Sequence, residues 1–144
     1  MTATPGLRLP RFYSYYKSPV KMVETPDGGM AAWRLSKDTG GWLPANHLID
    51  DVLFAVGGEV DVLPREDFVQ RTERERARYL RGDGPVFALY EAVKALVETA
   101  ESERRPLTPE ERALVQGIRR RTFRMFEEKL QREGDPAADP SLAD

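Results

Sequence analysis

The single histidine of this sequence heads the spacing His47-x-x-Asp50-Asp51. Positions three and four apart share one face of a helix, so either carboxylate can meet the imidazole. An imidazole with two carboxylates can hold a divalent cation or relay a proton. Acidic residues also gather at ordinary helix starts, because the macrodipole favours them there. There is no second histidine and no cysteine, so no familiar zinc site can be assembled. The structural role is the stronger reading. No catalytic residue, metal or cofactor is expected, and a small enzyme or metalloprotein centred on His47, Asp50 and Asp51 is the weaker alternative.

A second candidate is GIRRRTFRMF, residues 117–126. On a helical wheel Leu114, Val115, Ile118, Thr122, Met125 and Phe126 form one broad apolar face. Arg120, Arg121 and Arg124 fall opposite, together with Glu127 and Glu128. Those carboxylates stand three and four residues beyond Arg124, and are expected to neutralise Arg120 as well. The strip therefore reads first as a solvated, ion-paired helix face, and only second as a phosphate-binding surface. Arg119 differs, because it sits at the edge of the apolar face beside Phe123 and Phe126. Its stem can cover the core while its guanidinium reaches a carboxylate. Arginines so placed are frequent interface anchors. Arg71, Arg74 and Arg78 repeat the theme earlier, interleaved with Asp67, Glu73 and Glu75, and read as a salt-bridged surface.

The third candidate is aromatic. Phe12, Tyr13, Tyr15 and Tyr16 occupy one short run, with Trp33 and Trp42 downstream. Alternation places aromatics on both faces of that strand, so one face is free to meet a partner. The expected partner-binding set is Tyr13, Tyr15, Tyr16, Trp33, Trp42, Arg119, Arg120 and Arg124.

Other chemistries are not encoded. The absence of cysteine excludes disulfides, iron–sulfur clusters and thiol nucleophiles, and it fits a reducing cytosol. No Walker A string, G-x-G-x-x-G or G-x-S-x-G occurs.

The elements that must position these residues are legible from pattern. Residues 12–17 form an aromatic strand. Residues 20–25 and 30–36 form a hairpin about Pro26-Asp27-Gly28-Gly29. Asn46 can cap a short helix over 47–55, stopped by Gly57-Gly58. Residues 59–63 (EVDVL) alternate as a further strand. Three helices follow: 65–80, one opened by Pro85, and one opened by Thr108-Pro109-Glu110-Glu111 that runs to about 133. The last opening is a capping box with proline at the first helical position. Val86, Leu89, Tyr90, Val93, Leu96 and Val97 give the clearest apolar stripe. Of the two hairpin faces, Val23–Trp33–Leu35 is the better core candidate.

The expected fold is α+β: a small antiparallel sheet built on the N-terminal hairpin, packed against three to four C-terminal helices. Residues 1–10 read as a flexible lead without a signal peptide's apolar region. Residues 11–133 read as one domain, and 134–144 as an acidic flexible tail. The 144-residue length fits one domain, and a net charge of −2 gives no electrostatic footprint for nucleic acid. No run has the length of a membrane span. The functional expectation is a cytoplasmic, non-enzymatic protein-binding module: an adaptor, inhibitor or assembly factor acting on a larger intracellular protein, with homo-oligomerisation open. A nucleic-acid accessory protein using the arginine-rich helix is the first alternative.

Overall fold

A computed structural model describes residues 7–54 and 58–144. The end of the helix expected to reach 55, and Gly57, lie outside the described residues, as does most of the N-terminal lead. Five strands form one antiparallel sheet: β1 (Arg11–Tyr15), β2 (Ser18–Glu24), β3 (Met30–Leu35), β4 (Trp42–Pro44) and β5 (Val60–Leu63). Their spatial order is β4-β3-β2-β1-β5. A 3-10 turn (Asn46–Leu48) leads into α1 (Ile49–Phe54). The longer helices are α2 (Arg65–Tyr79), α3 (Pro85–Ser102) and α4 (Pro109–Arg132). The α+β architecture is the one the sequence pattern leads to.

The aromatic run is shorter than its composition suggests. Tyr16 and Lys17 take left-handed φ values of 47° and 69° and make a two-residue turn between β1 and β2. That geometry matches the twist of paired strands. β5 returns to pair with β1, Tyr13 opposite Val62 and Tyr15 opposite Val60.

Both faces of the sheet are core. Phe12, Lys21, Trp33 and Leu35 face α2 and α4, where Phe68, Val69, Phe123 and Phe126 meet them. The opposite face carries Tyr13, Val20, Met22, Met30, Ala32 and Val60, covered by Leu48, Ile49 and Val52. The expectation of Val23–Trp33–Leu35 as the better core face is corrected in part: Trp33 and Leu35 pack on the helices, but the opposite face is buried too and Val23 is only half-buried. Asn46 also differs from its expected role. It caps no helix; its Oδ1 accepts from the Ala32 N–H at 2.9 Å and ties the 3-10 turn to β3. At the start of α4 the capping box forms as expected, with Thr108 and Glu111 each satisfying the other's backbone amide.

The C-terminal segment is packed rather than frayed. Ala137, Leu142 and Ala143 are buried in the core beside Leu130. Asp135 accepts from the Trp42 and Ala137 amides, at 3.0 and 2.9 Å. Asp139 caps a final 3-10 turn, Pro140–Ala143, by accepting from the Ser141 amide. The acidic residues that suggested a solvated tail are used to satisfy backbone amides.

Candidate functional site

Charged residues occur here in two unlike settings, and only one of them is available to a partner. The first is a buried network between the sheet and the helices. Lys21, Glu73, Arg76 and Glu127 are each at most 1% exposed. Arg76 donates from Nε to the Gly40 carbonyl at 3.0 Å, from Nη1 to Glu73 at 2.9 Å and from Nη2 to Glu127 at 2.5 Å. Its guanidinium lies 4.2 Å from the Phe126 ring centroid and 5.6 Å from that of Trp42. Glu127 also accepts from Trp42 Nε1 at 3.0 Å and from the Asp139 amide at 3.0 Å. Lys21 donates to the Ala137 carbonyl and stands 4.0 Å from Glu127. Tyr90 donates to Glu73 at 2.9 Å.

Two cations and two carboxylates cancel, and each charge has hydrogen-bonded partners, which is the condition under which charge can be buried. Burial lowers Lys21 to about 8, against the opposing pull of Glu127 and Asp139. Burial works against the Arg76 charge too, but Glu73 and Glu127 outweigh it and hold the group above its ordinary value. Burial and the Glu73 carboxylate push the Tyr90 phenol up. The network is enclosed by core side chains and fastens α2, α4, β2 and the C-terminal segment together. It is scaffold.

The second setting is a trough on the helical side. α2 and α3 both pack on α4 and hardly on each other. The space left between them has a volume of about 420 Å³. Ala77, Tyr90, Val93 and Val97 supply apolar surface to it. Arg74, Arg78 and Arg81 line the α2 side, and Arg119 enters from α4. Glu91, Glu98 and Glu101 line the α3 side, with Lys94 among them. Tyr90 separates the trough from the buried network, with its hydroxyl on Glu73.

Arg119 is the unusual member. Burial lowers its pKa, the neighbouring Arg74 guanidinium adds to the effect, and Glu73 opposes it only in part. Among the described residues neither Arg74 nor Arg119 has a carboxylate within ion-pair distance. Two like charges, one of them half-buried, thus face the trough without a counter-ion.

The other sequence candidates are scattered. Arg120 and Arg124 do not pair with Glu127 and Glu128; Arg120 bonds Glu66 at 2.7 Å and Arg124 bonds Asp144 at 2.5 Å. Glu127, read as part of the solvated strip, is fully buried. Glu73, read as surface, is fully buried as well. Tyr13 and Trp42 are core residues, 0% and 5% exposed, and present no contact surface. Trp33 is half-buried on the helix-facing side of the sheet. Tyr15 donates to Asp51 at 3.1 Å, and Tyr16 is exposed at the β1–β2 turn, packed edge-on against Tyr15. His47, Asp50 and Asp51 are exposed, and among the described residues no three His, Asp or Glu side chains are grouped to hold a metal ion. No helix among the described residues is long and apolar enough to cross a membrane.

No family model matches this sequence, and no curated protein or solved structure is significantly similar to it. Functional argument therefore rests on the trough. Of the eight residues singled out from sequence, Arg119 alone lies in it. Sequence reasoning passed over Lys94 and Arg81. The available signal was the α3 stripe itself: an amphipathic helix whose polar flank alternates Glu91, Lys94 and Glu98 can be rimmed by charge on a side that still exposes apolar surface.

Proposed function

We propose that this chain is a non-enzymatic, cytoplasmic protein-binding module whose docking surface is the trough between α2 and α3. One observation carries the reading: two helices lean on a third and leave between them a half-apolar channel with uncompensated arginines. An apolar centre with a charged rim is the anatomy of a specific protein contact. Arg119 and Tyr90 both line the trough, and arginine and tyrosine are residue types enriched among interface anchors. A nucleic-acid role is less well supported. A continuous phosphate backbone along the trough would run past Glu91, Glu98 and Glu101, and the net charge of −2 provides no long-range attraction.

The test is site-specific photo-crosslinking in the native host. A benzophenone side chain at Lys94, on the rim, is compared with one at Glu24, exposed at the end of β2. The expected result is one protein adduct from position 94 that survives nuclease and is missing from position 24. Equal labelling from both positions, or adducts that vanish with nuclease, would overturn the proposal.

A further inference from the structure

The trough also specifies the chemistry of its occupant, an inference that rests on the docking role proposed above. We infer that it receives one α-helix of a partner protein, apolar along its centre, acidic on the flank towards α2 and basic on the flank towards α3. One carboxylate of that helix sits between Arg74 and Arg119.

Shape is the first reason. α2 and α3 both lie against α4 and meet each other little beyond the Tyr90–Glu73 hydrogen bond, which leaves an open trough between them. The lined length runs from Tyr90 to Glu101 on α3. At 1.5 Å per residue this is about 16 Å, or roughly three helical turns. A helix laid in a groove makes its contacts over such a length through every third or fourth residue.

Charge is the second reason. The α2 wall presents Arg74 and Arg78, four residues apart on one face of the helix, and Arg81 follows just beyond its end. The α3 wall presents Glu91, Glu98 and Glu101, with Lys94 between them paired to Glu98, and remains net acidic. A uniformly acidic helix would meet repulsion along α3, and a uniformly basic one along α2. A helix with opposite charges on its two flanks meets complementary charge on both, as flanking positions do in coiled coils.

The arginine pair is the third reason. Arg78 lies over the Tyr79 ring, 5.3 Å from its centroid, and Arg81, just past the end of α2, donates back to the Arg78 and Leu80 carbonyls. Arg74 and Arg119 have no such local use. A bridging carboxylate relieves their mutual repulsion and gives two planar donors the geometry they match best.

A display selection of random 18-residue peptides on the full-length protein tests this directly. Enriched peptides are then titrated by fluorescence anisotropy against wild type, Arg119→Glu and Val97→Lys, each variant first checked for an unchanged thermal midpoint. The expected peptides carry Asp or Glu on one flank and Lys or Arg on the other. Arg119→Glu should weaken them at least tenfold, and replacing the matching peptide carboxylate by lysine should restore binding to that variant. Peptides that are lost on Val97→Lys yet carry no acidic flank, or that bind Arg119→Glu within twofold of wild type, would refute the charge assignment and leave the docking surface standing. A selection with no peptide sensitive to Val97→Lys would remove the docking surface itself. Sedimentation of the wild type as a dimer that Arg119→Glu converts to monomer would replace the foreign helix by a second copy of this chain, and so overturn the inference.

Discussion

Glu127 and Arg124 stand three residues apart on α4, and they mark the two ways this molecule uses charge. Glu127 is fully buried and satisfies Arg76, Trp42 and the Asp139 amide together. Arg124 is exposed and reaches one carboxylate near the chain end, Asp144. Both are charged residues of one helix and both form ion pairs. What differs is the alternative available when the pair is broken. Water replaces Asp144 around Arg124 at little cost, and nothing can replace Glu127 in the core. Charge on this protein is therefore structural where water is excluded and solvated where it is not. Arg119, between the two conditions, is where the functional reading concentrates.

The largest break in that comparison comes from Glu127→Ala. It leaves Arg76 Nη2, the Trp42 indole N–H and the Asp139 amide without an acceptor. Removing one partner of a buried pair costs about 3–5 kcal/mol, a large part of a domain's total stability of roughly 5–15 kcal/mol. Urea unfolding should show the midpoint collapsing. The C-terminal segment should become protease-sensitive first, because Glu127 and Lys21 both hold it. A midpoint near that of wild type would mean that water enters the site and the network is not closed.

Lys21 sharpens the comparison through pH. Its folded pKa is lowered to about 8, against about 10.4 for an unperturbed lysine. A lysine lowered on folding binds fewer protons in the native state than in the unfolded one between those values. Stability from this group therefore rises with pH across that window and is flat below it. Tyr13 and Tyr90 are raised above 10 on folding, by burial first. Their effect has the opposite sign and begins only near pH 10. From pH 8 to 10 the wild type should gain on the order of 2 kcal/mol by denaturant titration, and Lys21→Met should abolish the gain. A gain that persists in Lys21→Met would show that the ammonium is solvated rather than buried.

Legibility in the sequence follows the same division. Elements set by local chemistry could be read directly: the hairpin about Gly28, the capping box at Thr108 and the amphipathic stripe of α3. These depend on neighbours within a turn or two. The buried network could not be read by residue type, because charge was taken as a sign of solvent. It was present in the spacing. Phe123, Glu127 and Leu130 follow one helical stripe, as do Val69, Glu73 and Arg76, and all six are buried. The C-terminal segment misled for a related reason: Asp135 and Asp139 looked like solvated acids and are instead acceptors for backbone amides. The trough was hidden because it depends on how far apart α2 and α3 sit on α4, a tertiary distance that no periodicity encodes.

The smallest expected effect completes the contrast. Arg124→Ala breaks an ion pair whose members are 44% and 64% exposed. Exposed pairs contribute about 0–1 kcal/mol, and salt screens them further. The unfolding midpoint in urea should move by less than about 0.5 kcal/mol equivalent at 0.15 M salt, with Arg120→Ala close behind despite its contact with Glu66. Neither change should affect a peptide bound in the trough, since neither residue lines it. A loss of several kcal/mol from Arg124→Ala would show that the Asp144 contact anchors the final 3-10 turn. The arginine strip would then belong with the buried network, as part of the scaffold.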